Sequence, residues 1–279
     1  MAEREDVRIT VDGRTVSVPS EVTLRRALEV AGDDWEASLE GGLPALCGSG
    51  GCYRCLVLVE GRLGRACVEP VRDGLSVETA LPFDHVPRRI VHGPQAHAVG
   101  GKATPWELKT VDGPVEVAIW TAGCNLRCPQ CQNFVTTWDG QSEPMTPVEA
   151  ATVVTAARRR HGVDRMAISG GEATLNRSWL VQYFAALGEM NPDRAARLHL
   201  DSNGTVLTAD YVDELVLESG VTDIGVEPKA VEVETFERIA GIEDDVLARR
   251  YLDTAWAAVA HITATHRERV FLGVGMPYN

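Results

Sequence analysis

The sequence predicts two folded units, a small α+β domain followed by a larger α/β domain whose parallel sheet is covered by helices. Three observations indicate this fold class. Alternating apolar residues around an Asp12-Gly13 turn near the start are typical of a β-hairpin. A stretch rich in proline and glycine then interrupts the regular patterns. After it, strand-like and helix-like segments alternate, which is typical of a parallel sheet with crossover helices.

The first unit is predicted to occupy residues 1–80. Segments 7–11 and 15–18 alternate between apolar and polar residues, as the two strands of a hairpin do. Residues 23–32 have helical spacing and end at Gly32, a common helix stop. Segment 55–59 has the pattern of a third strand.

Residues 81–113 are predicted to form an ordered but irregular linker, because prolines and glycines recur along them. The linker carries His85, His92 and His97 at irregular intervals. We expect these histidines to be solvated, since the carboxylate and cysteine partners that are typical of metal sites are missing nearby.

The second unit is predicted to span residues 114–279. Its predicted strands are 115–120, 165–169, 197–201, 222–227 and 269–273. The predicted helices between them are 147–161, 179–190, 209–218 and 245–266. Thr146-Pro147 is a good helix start, a capping hydroxyl followed by proline in the first turn.

Charge and composition limit the partners and the compartment. A net charge of −13 disfavours nucleic acid and anionic membranes as partners, because both repel an acidic protein. The N-terminal residues are charged and no apolar run is long enough to span a bilayer, so we expect no signal peptide, no membrane association and a cytoplasmic location. Cytoplasmic thiols are used for metals or catalysis more often than for disulfides.

The seven cysteines fall into two groups and none is left over. The first group is Cys47, Cys52, Cys55 and Cys67, which reads C-x4-C-x2-C followed by a fourth cysteine. Its glycine-rich loop allows the backbone to turn sharply around a cluster and to leave amides free for the sulfurs. This spacing is the plant-type ferredoxin pattern and predicts a 2Fe–2S cluster. Zinc is the alternative, although zinc sites usually use two short C-x2-C clips and only one is present here.

Together with the surrounding strands and helix, these cysteines resemble the ubiquitin-like ferredoxin fold found at the N-termini of respiratory and hydrogenase iron–sulfur subunits. The resemblance covers about residues 5–80 and implies a 2Fe–2S domain.

The second group, Cys124, Cys128 and Cys131, follows the first strand of the α/β unit with C-x3-C-x2-C spacing. Three cysteines bind three irons of a 4Fe–4S cluster and leave the fourth iron open for another ligand. This run resembles the cysteine motif of the radical S-adenosylmethionine superfamily, and the residues around it are most similar to those of the pyruvate formate-lyase activating enzyme group. The resemblance implies a partial (β/α) barrel, a 4Fe–4S cluster and reductive cleavage of S-adenosylmethionine to a 5′-deoxyadenosyl radical.

The same resemblance implies which residues bind S-adenosylmethionine, and all of them follow the carboxyl ends of predicted strands, where such sheets bind ligands. They are Gln130 in the cysteine loop, Gly170, Gly171 and Glu172 after the second strand, Asp201, Ser202 and Asn203 after the third, and Glu227 and Lys229 after the fourth. Cys124, Cys128 and Cys131 are the predicted catalytic ligands.

Three departures from the family pattern stand out. Gln130 replaces the usual aromatic residue before the third cysteine, and Ala173 replaces the usual proline after Gly-Gly-Glu. Only five strands are predicted where the family barrel has six, which leaves three alternatives open: the sixth strand is missing, is supplied otherwise, or lies outside this sequence.

Two alternatives remain open at this stage. Glu227 and Lys229 are as well explained by an ordinary ion pair, and His199 is expected to be a packed or surface strand residue.

The predicted function is an iron–sulfur enzyme with an external electron donor and an unidentified substrate: a glycyl-radical partner protein, a peptide or a small molecule. The non-enzymatic alternative is a two-cluster electron carrier.

Overall fold

The computed structural model describes residues 6–32, 47–110 and 112–277, and they build two sheets. Residues 1–5, 33–46, 111 and 278–279 lie outside the described residues. Among the described residues, no helix is both long and apolar enough to cross a membrane.

The first sheet has the strand order β2-β1-β5-β3-β4 and one helix packed on it. Its elements are β1 (Asp6–Val11), β2 (Arg14–Pro19), α1 (Leu24–Val30), β3 (Leu56–Val59), β4 (Arg62–Arg65) and β5 (Ser76–Glu78). Strands β1 and β2 form the predicted antiparallel hairpin, and β5 pairs with β1 in parallel. The side chain of Thr23 caps α1 by accepting from the Arg26 amide. The predicted hairpin, helix and third strand are therefore confirmed.

The second sheet has the order β12-β11-β10-β9-β7-β6-β8. Its strands are β6 (Arg89–His97), β7 (Glu116–Thr121), β8 (Pro144–Met145), β9 (Arg165–Gly170), β10 (Arg197–Ser202), β11 (Asp223–Val226) and β12 (Phe271–Val274). Strands β7 and β9 to β12 are parallel neighbours in chain order. The prediction of an α/β unit with a parallel sheet is confirmed, and these are its five predicted strands.

Helices connect the parallel strands. They are α2 (Phe134–Thr137), α3 (Pro147–His161), α4 (Arg177–Met190), α5 (Ala209–Asp213), α6 (Val233–Ala240) and α7 (Asp245–His261). Helix α5 continues as a π-helical turn, Glu214–Glu218, and α7 as another, Ile262–His266. At the start of α3, Thr146 and Glu149 form a reciprocal capping box, which confirms the predicted helix start.

The stretch 81–113 is not the irregular linker that the sequence predicts. Strand β6 lies within it and pairs antiparallel with β7, so it extends the sheet of the second unit. The local signal is weak because Gly93 and Pro94 interrupt the strand, where the pairing register shifts between His92 and Gln95. His92 and His97 consequently lie on a sheet strand.

The parallel strands separate an apolar face from a polar one. Alternate residues such as Ile119, Ile168, Leu200 and Ile224 face the helices and belong to the main hydrophobic core. The residues between them, such as Glu116 on β7 and Asp201 on β10, face the other side. Because side chains alternate across a strand, this side of the sheet collects polar groups.

Candidate active site and cluster-binding loops

A cavity of about 840 Å³ lies over the polar face and the carboxyl ends of the parallel strands. Ligands of open α/β sheets bind at this edge. All the residues predicted to bind S-adenosylmethionine or the second cluster line this cavity: Cys124, Cys128, Gln130, Cys131, Gly170, Gly171, Glu172, Asp201, Ser202, Asn203, Glu227 and Lys229. The structure thus brings the whole predicted set together, and the binding role of each residue stays a prediction.

The loop with the second cysteine group follows β7 directly and is fixed at several points. The amide of Gly123 donates to the carbonyl of Thr137 at 2.7 Å, and the amide of Arg127 donates to the carbonyl of Ala240 at 2.7 Å. The Cys124 sulfur accepts from the Leu126 amide at 3.4 Å. The thiols of this group line the cavity. The loop that carries them is held in place by backbone hydrogen bonds.

Four hydrogen bonds within the protein hold the carboxylate of Glu172. Its Oε1 accepts from the amide and the hydroxyl of Thr174 at 3.0 and 2.6 Å and from the Ser202 hydroxyl at 2.8 Å. Its Oε2 accepts from the Asn203 amide at 2.7 Å. A carboxylate oxygen can accept more than one hydrogen bond, so Oε2 keeps the capacity to receive a further donor from the cavity.

Glu227 lies between two ammonium groups. Lys229 Nζ is 2.8 Å from Oε1, and Lys102 Nζ is 2.9 Å from Oε2. Burial opposes ionisation of Glu227, yet the charges of the two lysines lower its pKa below the ordinary value. The ion-pair interpretation of Glu227 and Lys229 is correct, and the same pair lines the cavity.

Beneath the cavity, charged side chains from neighbouring strands form a buried network. His199 is fully buried, with Nδ1 at 3.2 Å from a Glu116 oxygen and Nε2 at 3.2 Å from an Asp201 oxygen. His97 on β6 reaches the other oxygen of Glu116 at 3.2 Å. The amide of Lys102 donates to Asp201 at 3.1 Å. The expectation that His199 is a packed strand residue is correct, but the charge of its partners is a further finding.

The network favours the charged forms of its members. Burial disfavours a charged His199, but Asp201 and Glu116 outweigh it and raise the pKa of His199 to about 9. Burial likewise opposes ionised carboxylates, and the histidine partners lower the pKa of Glu116 to about 2. His199 and Lys102 lower the pKa of Asp201 to about 2 against the same effect of burial.

The first cysteine group is gathered in the N-terminal unit. Cys47, Cys52, Cys55 and Cys67 are all buried. The backbone amide of Cys67 donates to the Cys55 sulfur at 3.5 Å. The neighbouring thiols of Cys52 and Cys67 lower the pKa of Cys47, and the thiol of Cys47 raises the pKa of Cys52. Four adjacent thiolate donors are the ligand set of a 2Fe–2S cluster.

The two cysteine groups are neighbours although one lies in the unit with the first sheet and the other follows a strand of the second sheet. A Cβ atom placed on Gly123 would lie 2.9 Å from the Cβ and 3.1 Å from the sulfur of Cys47. The guanidinium of Arg127 donates to the carbonyls of Cys47 and Cys124 at 2.7 and 2.8 Å. The Asn176 side chain donates to the carbonyl of Cys52 at 3.0 Å. The two loops thus share a hydrogen-bonded interface.

Comparison with known families identifies both units. Residues 118–278, more than half of the chain, match the model of the radical SAM superfamily. The chain belongs to the radical SAM superfamily. Residues 4–82 match the 2Fe-2S iron-sulfur cluster binding domain. The predicted superfamily and the predicted ferredoxin-like unit are confirmed.

Solved structures and curated proteins add little to this assignment. A structure of HydG, described as a maturase of the FeFe-hydrogenase, matches with 14% identity and a TM-score of 0.41, over 56% of this chain and 33% of that one. A pyruvate carboxylase from Rhizobium etli with the allosteric activator acetyl coenzyme A matches with 16% identity and a TM-score of 0.25, over 50% and 12%. The chain thus spans a third or less of the length of these structures. No curated protein matches it.

As a member of the radical SAM superfamily, the chain has a 4Fe–4S cluster and S-adenosylmethionine as cofactors, and its N-terminal unit has a 2Fe–2S cluster. The donor sets fit both clusters, since four buried thiols are adjacent in one unit and a group of three faces a cavity in the other.

Sequence reasoning missed several residues at the site. Arg89 on β6 is fully buried. Its guanidinium donates to the carbonyl of Ala122, which follows β7, and to the carbonyls of Glu172 and Ala173, so it joins the end of β7 to the Gly-Gly-Glu loop. Lys102 also comes from the supposed linker. Recognition of β6 as a strand would have directed attention to Arg89.

Proposed function

We propose that this enzyme reductively cleaves S-adenosylmethionine to a 5′-deoxyadenosyl radical, which abstracts hydrogen from a substrate, and that the fused 2Fe–2S domain relays the electron. The observation that carries the proposal is the cavity, where the three thiols after β7 meet the carboxylates and the ammonium group at the ends of β9, β10 and β11. A reduced 4Fe–4S cluster with an open iron supplies the electron for the cleavage.

The residues of the cavity provide complementary charges for an amino acid group. Glu172 Oε2 is the proposed acceptor for the cationic amino group of S-adenosylmethionine. Its other oxygen is occupied by Thr174 and Ser202, which fixes the direction of the carboxylate. Lys229 and Lys102 flank Glu227 and are the proposed donors for anionic or hydroxyl groups of the ligand.

The electron relay rests on the closeness of the two cysteine loops. Cys47 lies against Gly123, the residue before Cys124, and Arg127 holds the backbone of both loops. Electron transfer becomes slower as the distance between the centres increases, so this contact favours direct transfer between the clusters. The proposed direction is from an external donor to the 2Fe–2S cluster and then to the second cluster.

The competing function is a non-enzymatic electron carrier with two clusters. The chain has seven cysteines, and the first group uses four of them, so the second cluster lacks a fourth thiolate ligand. The open position and the large cavity beside it favour the enzyme. The substrate is a glycyl-radical partner protein, a peptide or a small molecule, and the proposed location is the cytoplasm.

The test is anaerobic incubation of the cluster-loaded protein with dithionite and S-adenosylmethionine. We expect 5′-deoxyadenosine to form. Cys124→Ala should abolish the product and leave a 2Fe–2S spectrum, whereas Cys52→Ala should remove that spectrum and spare cleavage driven by dithionite. Intact S-adenosylmethionine with both clusters present would favour the carrier. Loss of both clusters in either variant would contradict the division into two cluster sites.

A further inference from the structure

Outside the cavity, an aspartate and two histidines converge between helices α5 and α7. Asp213 Oδ1 lies 2.7 Å from His261 Nε2 and 2.7 Å from His266 Nε2. These three potential ligand atoms all lie within 4.8 Å of one another. The histidine rings meet edge to face, with centroids 5.5 Å apart.

The local backbone is what brings the histidines together. In an α-helix, residues five apart point about 140° away from each other, because each residue turns the chain by about 100°. His261 directly precedes the π-helical turn Ile262–His266, and His266 is its last residue; the wider winding of the turn places positions five apart on the same side. Asp213 likewise directly precedes the π-helical turn of α5, Glu214–Glu218. Single π-helical turns are frequent at functional sites.

We propose that Asp213, His261 and His266 bind a divalent transition metal ion of the zinc class. Two imidazole nitrogens and one carboxylate oxygen are a common ligand set for zinc and for related ions that accept imidazole. Metal–ligand bonds of about 2.0–2.1 Å require ligand atoms about 3.3 Å apart. The Asp213 oxygen, 2.7 Å from each histidine nitrogen, therefore has to move away from each of them by only about half an ångström.

The exposure of the three side chains fits a site that fills from solvent. His266 is buried, with 3% of its side chain exposed, whereas His261 and Asp213 are 24% and 41% exposed. The buried histidine anchors the site, and the open side leaves room for water as a further ligand. Asp213 is 48 residues from His261 and 53 from His266 in the sequence, so the ion would clip α7 to α5. This site is separate from the proposed chemistry of the cavity.

The experiment uses the full chain with both clusters loaded, because free cysteine thiols would bind zinc themselves. The protein is dialysed to equilibrium against zinc chloride, and bound zinc and iron are measured by mass spectrometry. The variants are Asp213→Asn and His261→Gln, and the matched control is His161→Gln, an exposed histidine at the end of α3. Iron content and far-UV circular dichroism establish that each variant is folded.

We expect the unaltered chain and His161→Gln to bind one zinc ion per chain beyond the clusters and to melt several degrees higher with zinc than with a chelator. His261→Gln and Asp213→Asn should bind zinc at least about tenfold more weakly. Asp213→Asn keeps an oxygen that accepts from both histidines, so it decides the matter if His261→Gln fails to fold. Equal zinc binding by Asp213→Asn and the unaltered chain, or no zinc bound by the latter, would show that the three residues only form hydrogen bonds.

Discussion

Substitution of Gly123 by alanine tests the contact between the two cysteine loops. Gly123 has a φ of +87°, and a Cβ there would lie 2.9 Å from both the Cβ of Cys47 and the backbone nitrogen of Cys52. The left-handed backbone costs an alanine about 1–2 kcal/mol, and the overlap with the neighbouring loop adds about 1–3 kcal/mol. We expect the free energy of unfolding to fall by about 2–5 kcal/mol and the first cysteine loop to be displaced.

The matched control is Gly113→Ala. Gly113 has a φ of +98° and nothing within 4 Å of the added Cβ, so it carries the backbone strain without the overlap. Melting temperature, iron content and the electron paramagnetic resonance spectra of both clusters are compared at one scan rate. Gly123→Ala should melt lower than the control and weaken the magnetic interaction between the reduced clusters. Indistinguishable behaviour of the two variants would refute the close contact of Cys47 with Gly123.

Three further outcomes are expected. Glu172→Gln should weaken S-adenosylmethionine binding by about 1.5–3 kcal/mol in a calorimetric titration, because a charged acceptor is lost. Unaltered affinity would mean that Glu172 only makes hydrogen bonds within the protein and does not bind the ligand. Gln130→Phe should bind S-adenosylmethionine as well as the unaltered chain or better. The Gln130 amide already donates to the Ile239 carbonyl at 3.1 Å, and a ring at this position adds about 0.5–1.5 kcal/mol by stacking on adenine. A tenfold weaker affinity with intact cluster spectra would contradict this. The pKa of His199 is raised to about 9, so its charge stabilises the fold by about 3 kcal/mol below about pH 6.5, and this contribution disappears as the pH rises through about 9. The difference in melting temperature between the unaltered chain and His199→Gln should therefore shrink from pH 6 to 9.5. A constant difference would exclude a His199 that loses its charge within this range.

Short-range patterns in the sequence were sufficient for most elements and for the candidate site. The capping box at Thr146 and the alternation along β7 depend on neighbouring residues, so they are readable without a fold. The residues predicted to bind the second cluster and S-adenosylmethionine follow strand ends, and parallel strands bring their carboxyl ends to one edge. Their meeting in one cavity follows from the predicted topology.

Spacing within a few residues was enough to predict the two units, the two groups of cysteine ligands and the residues at the strand ends, and the family resemblance added S-adenosylmethionine. Other features arise only in the folded chain. Strand β6 is a strand because β7 supplies its hydrogen-bond partners despite Pro94. The charges of His199 and Glu116 depend on each other, and the contact of Cys47 with Gly123 joins separate sheets. Such features depend on contacts between residues far apart in the chain, and the energy of those contacts leaves no local pattern in the sequence.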